Sequence, residues 1–242
     1  MGPRRPRALV LTPTRELALQ VGECIKGYAP TVALRCSVVY GGVRVKPQVE
    51  RLKRGIDILV ATPGRLLDLA GNRHLDLSQI AFLVFDEADR MLDLGFSTEM
   101  SAILGLLPTE RRTMLFSATY TQGIRALAGR MLRDPERVEV TPDTTAAEAV
   151  DQKVYLVDVS NKRALLIHLI KGGNWRRTLI FTRTRHGADK LSERLAARSI
   201  RCAALHADKG QALRTRTLKA FKDGEIHILV ATDVAARGLD IR

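Results

Sequence analysis

Cysteine is scarce: Cys24, Cys36 and Cys202 are the only three in 242 residues. They have neither metal-site spacing nor a paired pattern, which excludes a disulfide framework and a thiolate metal centre. They read as reduced core thiols of a cytoplasmic protein. Long hydrophobic runs are missing too. No uncharged apolar stretch approaches the ~18 residues that a membrane span needs. The basic start (Arg4, Arg5, Arg7) is followed only by Ala8-Leu9-Val10-Leu11, too short for the apolar region of a secretory leader. Acidic side chains are under-represented, 26 against 39 basic ones, for a net charge of +13. The excess is uneven. Residues 1–150 carry 20 basic and 17 acidic side chains, and residues 151–242 carry 19 and 9. That imbalance points to a polyanionic partner, most simply nucleic acid, although an arginine-rich soluble surface gives the same totals.

What is present is an ordinary globular composition, 45% hydrophobic and 27% charged, at a length that suits one large or two small domains. Strand-like runs at Ala8–Leu11, Cys36–Tyr40, Ile56–Ala61, Ile80–Phe85, Thr113–Ser117 and Val138–Val140 alternate with helical patterns. One such helix is Thr14–Tyr28, with Leu17, Val21, Cys24, Ile25 and Tyr28 on one face. Residues 141–150 then run polar, small and without periodicity, and read as a linker. Alternation resumes with a strand at Val154–Val159, a helix at Lys162–Lys171, and strands at Leu179–Phe181, Cys202–Leu205 and Ile226–Ala231. Helices over His186–Arg198 and Gln211–Lys222 separate these. Such alternation predicts an α/β protein built on parallel sheets flanked by helices. Its domains are 1–140 and 151–242.

The two halves repeat. Leu9-Val10-Leu11-Thr12-Pro13-Thr14-Arg15 returns as Leu179-Ile180-Phe181-Thr182-Arg183-Thr184-Arg185, and Ile58–Thr62 returns identically as Ile228–Thr232, both displaced by 170 positions. Two matches at one offset favour a duplicated domain. The second copy has a strand and helix ahead of its first matched segment, and the first copy has none. The first copy continues for three more strands past the second match, and the second stops. A missing unit at each end is the expectation.

The chemistry concentrates at strand ends. Ile80–Phe85, six apolar residues, reads as a strand buried on both faces. Asp86-Glu87-Ala88-Asp89 follows at its carboxyl end, where open α/β sheets keep their ligands. Asp86 in that place can hold Mg²⁺ by hard oxygens, usually through water, and Glu87 can orient or deprotonate a water for attack on a γ-phosphate. The same residues also read as a helix start with acids set against its dipole. Thr12-Pro13-Thr14-Arg15 and Thr62-Pro63-Gly64-Arg65 share the pattern Thr-Pro-x-Arg after a buried strand. With Thr as N-cap and Pro in the first helical position, each marks a helix N-terminus. Free N–H groups and a forked Arg attract phosphate there. One such motif is simply a capped helix; two in one sheet suggest a track for a nucleic-acid backbone. Gly41-Gly42 would let phosphates approach closely, or is a plain turn. Ser117-Ala118-Thr119 offers two hydroxyls to the acids of the neighbouring strand, or caps the next helix. His206 and Thr232-Asp233 lie at strand ends of the second half.

Taken in order, Pro13–Ala18, Gly41-Gly42, Thr62–Arg65, Asp86–Asp89, Ser117–Thr119, Gln211 with Arg214, and Ala231–Asp240 resemble the motifs of DEAD-box ATP-dependent RNA helicases of bacterial type. The likeness covers essentially the whole chain. It implies two RecA-like domains that close on ATP and RNA. By motif, Glu87 and Asp86 would be catalytic, with Asp86 holding Mg²⁺ through water. Asp89, Ser117, Thr119 and Asp233 would serve the nucleotide. Thr14, Arg15, Gly41, Gly42, Thr62, Pro63, Gly64 and Arg65 would hold RNA from the first domain. Thr182, Arg183, Gln211, Arg214, Thr232 and Gly238 would hold it from the second. The resemblance implies ATP and Mg²⁺ as cofactors, RNA as the partner through its backbone, no membrane and no obligate protein partner.

Departures from the family pattern are equally legible. The P-loop signature G-x-x-x-x-G-K-[ST] occurs nowhere in the chain, nor does the closing motif that supplies the arginine finger. The first domain is therefore expected to lack its P-loop unit and the second its C-terminal part. A chain so built would be inactive alone, or would serve as a nucleotide-independent RNA-binding or annealing module, or would be a non-functional truncation product. Ala207 replaces the glycine usual after His206, which bears on that loop's geometry.

Overall fold

The computed structural model describes residues 5–28, 33–140, 150–173, 175 and 177–232. The chain forms two compact units, residues 1–135 and 136–242. The first contains strands β1 (Ala8–Leu11), β2 (Cys36–Val39), β3 (Ile58–Ala61), β4 (Phe82–Phe85) and β5 (Arg112–Leu115). Its helices are α1 (Arg15–Tyr28), α2 (Lys46–Lys53), α3 (Pro63–Gly71), α4 (Ala88–Asp93), α5 (Ser97–Gly105) and α6 (Gln122–Met131). The five strands are all parallel, in the order β2-β3-β1-β4-β5.

Register explains the core. Leu9 lies beside Leu59 and Leu83, and Leu11 beside Ala61 and Phe85. All six are fully buried. They form two apolar rows on one face, against which Met91, Met100, Ile103 and Ile124 pack. On the opposite face α1 covers one side of the sheet. Its buried stripe is Leu17, Ala18 and Gly22, whereas Cys24 and Tyr28 are exposed. The small residues decide this seat: Val38 of β2 occupies the space that a side chain on Gly22 would take. Farther along that face Phe82, Met114 and Phe116 stand exposed. β4 is thus buried on one face, not both, because no described helix covers the other.

The second unit carries α7 (Lys162–Gly172), β6 (Thr178–Thr182), α8 (Arg185–Ala196), β7 (Cys202–Leu205), α9 (Gln211–Lys222) and β8 (Ile228–Thr232), with its parallel strands ordered β6-β8-β7. Helices pack on both faces, although Leu179 and Phe181 of β6 stay exposed. Ile167, Ile170, Ala188 and Leu195 pack on Ile228 and Val230, and Phe221 packs on Leu205, Leu229 and Ala231. The 170-residue repeat is also a structural one. Leu9 and Leu11 face Leu59 and Ala61, and Leu179 and Phe181 face Leu229 and Ala231.

Two expected strands do not form. Val138–Val140 and Val154–Val159 are irregular, with Val140 87%, Leu156 100% and Val159 91% exposed. An apolar run becomes a strand only when a neighbour takes its hydrogen bonds, and no described strand lies beside either. Residues 141–149, most of the expected linker, lie outside the described residues, as do Asp233 and Gly238. Among the described residues no helix is long and apolar enough to cross a membrane.

Candidate functional site

Parallel strands in register end on one rim. Past each strand the ladder runs one bond further: Thr12 N–H donates to Ala61, Thr62 to Val39, Asp86 to Leu11 and Phe116 to Phe85, at 2.8–3.1 Å. Thr12, Thr62 and Asp86 therefore stand together at the carboxyl edge. The acids open one helix there, and Arg15 and Arg65 lie in the first turns of two others.

Asp86 is half-buried, and burial pushes its carboxyl above the ordinary range, opposed by a hydrogen bond from the Glu87 backbone. A desolvated carboxylate of this kind gains from a hard cation. No cluster of three acidic, His or Cys side chains capable of holding a metal exists among the described residues. One carboxylate with waters is a donor set that suits Mg²⁺, which keeps most of its hydration. Glu87 takes a left-handed backbone (φ 52°) at the N-cap of α4, a strained state that an L-residue adopts at a cost of ~1–2 kcal/mol. Its neighbours hold it so: Ala88 N–H donates to Phe116 C=O at 2.9 Å, and Arg90 Nη1 donates to Glu87 Oε2 at 3.1 Å. Glu87 makes no side-chain cap bond, but as N-cap with Asp89 in the first turn it does set acids against the dipole of a helix start, as the alternative reading expects.

Asp89 is bonded twice, by the backbone N–H of Arg90 at 3.0 Å and by Thr119 Oγ1 at 3.1 Å. Of the two hydroxyls expected to reach the acids, only Thr119 does. Ser117 Oγ donates instead to the Thr119 carbonyl at 2.7 Å, because the tight loop turns that oxygen toward it. Nor does this triplet cap the next helix; Thr121 does, accepting from Ile124 N–H.

The Thr-Pro-x-Arg pair also divides. Thr62 and Pro63 take the N-cap and first helical positions of α3, as expected, but the Thr62 hydroxyl makes no cap bond. In the other motif α1 starts two residues later, and Thr14 Oγ1 accepts from Leu17 N–H at 3.3 Å while Thr12 donates to the Thr14 carbonyl at 3.3 Å. The second unit copies this arrangement at the 170-residue offset. Thr184 accepts from Gly187 N–H at 3.0 Å, and Thr182 donates to the Thr184 carbonyl at 3.1 Å. The same offset equates Arg15 with Arg185, which pairs with Asp208 at 2.6 Å. Arg185 is not among the residues that the motif reading singles out, although the repeat points to it.

Around the Gly41-Gly42 turn, three elements converge. Gly42 has φ +74°, and the Arg15 guanidinium lies where a side chain on it would go. Arg65, with a side chain only 9% exposed, donates through Nη2 to Val43 C=O at 3.1 Å and meets Asp68 through Nε at 3.3 Å. Its Nη1 is buried without a hydrogen-bond partner. Gly64 has open space around it. Gln48, which sequence reasoning passes over, is buried behind the turn and bonded to it.

In the second unit Thr182 and Thr232 end paired strands β6 and β8. Arg183 is exposed, and Gln211 and Arg214 lie in the first turn of α9, Arg214 buried. The loop before α9 is anchored by His206, 2% exposed, whose Nε2 lies 3.0 Å from Asp189 Oδ2; Lys209 Nζ lies 2.7 Å from the other oxygen. Ala207 does not adopt a left-handed backbone, so this loop needs no glycine there. Burial pushes the Cys36 and Cys202 thiols up, away from the reactive thiolate. Cys24 is exposed rather than in the core.

Residues 2–127 match the family model described as DEAD/DEAH box helicase, and residues 161–242 match that of the helicase conserved C-terminal domain. The chain is 42% identical over 237 residues to ATP-dependent RNA helicase DeaD of Mycobacterium tuberculosis, covering 98% of this chain and 42% of the relative. It is 42% identical over 241 residues to ATP-dependent RNA helicase RhlB of Pseudomonas aeruginosa, covering 98% and 60%. The chain spans between a third and three fifths of the length of such curated relatives. Among solved structures, S. cerevisiae Dbp5 bound to RNA and ADP BeF3 superposes with a TM-score of 0.87 at 27% identity, over 98% of this chain and 60% of that one.

Proposed function

The chain belongs to the DEAD/DEAH box helicase family, and from that premise we propose that its parent protein is an ATP-dependent RNA helicase, remodelling RNA as it hydrolyses ATP in the cytoplasm. The shared rim carries the reading: acids after β4 and cationic helix starts after β1 and β3 stand at the same sheet edge. Residues 1–140 and 151–242 would be its two RecA-like domains, joined by 141–150.

Asp86 would hold Mg²⁺ through water, and the ion supplies charge neutralisation to a triphosphate. Glu87, fixed by Arg90 and by its constrained backbone, takes up the proton of an attacking water or orients that water. Asp89 and Thr119 link the acid loop to the end of β5, with Ser117 shaping that loop; Asp233 would face the nucleotide. Thr14, Arg15, the Gly41-Gly42 turn, Thr62, Pro63, Gly64 and Arg65 would contact the RNA backbone. Thr182, Arg183, Gln211, Arg214, Thr232 and Gly238 would do so from the second unit. Phosphate contacts carry no base identity, so the action is on RNA of many sequences.

The test is RNA-stimulated ATP hydrolysis by the full-length parent, with and without Glu87→Gln. Turnover is expected to vanish in the variant while RNA binding persists; RNA-stimulated turnover that survives removes the assigned role. A second reading, nucleotide-independent RNA binding, is favoured by the charge excess of residues 151–242. Titration of the 242-residue chain with single-stranded RNA at several salt concentrations decides it, since phosphate contact gives a steep salt slope.

A further inference from the structure

Gln48 is the third residue of α2 and 1% exposed. Buried glutamine amides are uncommon and must satisfy both their oxygen and their nitrogen. This one does so on a single turn. Its Oε1 accepts from Tyr40 N–H at 3.0 Å, and its Nε2 donates to Tyr40 C=O at 3.2 Å and to Arg44 C=O at 3.4 Å. The amide thus treats Tyr40 as a neighbouring strand would, at the point where β2 ends, and reaches the far side of the turn as well. Residues 41–43 are bracketed between the two attachments. Within that bracket lie Gly42, against which the Arg15 guanidinium is seated, and the Val43 carbonyl that receives Arg65. Neighbouring Val49 and Leu52 anchor α2 in the core, so the bracket is fixed to the body of the unit.

We propose that Gln48 is a positioning residue for RNA binding: it sets the Gly41-Gly42 turn so that Arg15 and Arg65 are held ready for a phosphate backbone. The inference rests on the RNA reading of this rim, and it makes a demand that burial alone does not. Only a side chain that donates and accepts at once meets Tyr40 on both its groups. Glutamate of the same shape keeps the bond from Tyr40 N–H, loses both donations, and sets a charge against two carbonyls until it is protonated.

The experiment compares Gln48→Glu, Gln48→Met and the core truncation Met131→Ala in the 242-residue chain. Three quantities are read: affinity for a single-stranded oligouridylate at low salt, thermal unfolding, and amide exchange at residues 41–43. Gln48→Met is expected to weaken RNA binding about tenfold, as loss of an oriented charge-assisted contact does, and to speed exchange in the turn. Met131→Ala, in the core but on α6, is expected to lower the unfolding temperature while affinity stays within about twofold of the wild type. Relative to the wild type at each pH, the Gln48→Glu deficit shrinks as the medium is acidified and the new carboxyl gains a proton to donate. Affinity that follows unfolding temperature across all three variants, or a Gln48→Glu deficit indifferent to pH, overturns the proposal. A wild-type chain that binds no RNA at low salt defeats the RNA reading and with it the role of Gln48. A chain that binds RNA normally with Gln48→Met defeats the role of Gln48 alone.

Discussion

The guanidinium of Arg15 occupies the space in which a side chain at Gly42 would stand. The two residues are 27 positions apart and come from α1 and from the turn after β2, yet the turn's left-handed glycine is what gives the arginine its seat. A cation and a bare stretch of backbone are thereby presented side by side, the combination that suits a phosphate.

Gly42→Ala therefore carries two costs. A left-handed alanine is strained by ~1–2 kcal/mol, and the new methyl displaces the guanidinium. Urea denaturation should show stability reduced by at least that strain, and RNA affinity should fall as well. Gly41→Ala meets nothing within 4 Å and has no left-handed backbone, so it should leave stability nearly unchanged.

Arg65 is held by the Val43 carbonyl and by Asp68, with one buried donor free. If that fork takes a phosphate, Arg65→Ala should weaken binding to unrelated single strands equally. It should also lower the slope of log affinity against log salt by about 0.7, one phosphate's share for a single strand. A loss confined to one RNA sequence, with the slope intact, would speak against backbone contact.

Burial sets the ionised carboxyl of Asp86 against the stability of the fold, so Asp86→Asn should stabilise the metal-free chain, by on the order of 1 kcal/mol as such site substitutions do. The folded carboxyl takes its proton before the unfolded one does. The advantage of the variant is thus full at neutral pH and shrinks as pH falls through the raised folded value, vanishing below the ordinary carboxylate range. Paired melts at neutral and acid pH check both the sign and the window.

Much of this architecture is legible in the chain. Parallel strands are buried runs, so Leu9–Leu11 and Ile58–Ala61 declare themselves, and their recurrence 170 residues later, read as a duplicated domain, is matched by the same strand pairing in the second sheet. What escapes depends on neighbours. Val154–Val159 has the side chains of a strand but no described partner for its backbone. Phe82 sits in an apolar run and is nonetheless 44% exposed, because coverage of a sheet face is decided by helices elsewhere. Within the site, residues in motifs can be found by pattern. Gln48 and Asp189 cannot, since each matters through hydrogen bonds to atoms of another element. Arg90 lies beside the acids, but the contact that recommends it becomes visible only with Glu87 in its left-handed state.

Asp189 joins α8 to the loop that precedes Gln211 and Arg214. Its carboxyl is held below the ordinary range, chiefly by the hydrogen bond from Lys209 and further by that from His206. A carboxylate so depressed stabilises the folded state above its unfolded value, and the contribution is lost as pH falls through the folded one. Asp189→Asn should accordingly lower stability at neutral pH. The loss is limited to ~1 kcal/mol, since the carboxylate is partly exposed and its pairs are screened. Urea midpoints of variant and wild type should converge below the ordinary carboxylate range, where the wild-type carboxyl is protonated too. Because His206 is buried against the same carboxylate, removing the charge also loosens the start of α9, and the variant should bind RNA less tightly at neutral pH. A stability difference that persisted unchanged into acid would mean that Asp189 acts by packing rather than by its charge.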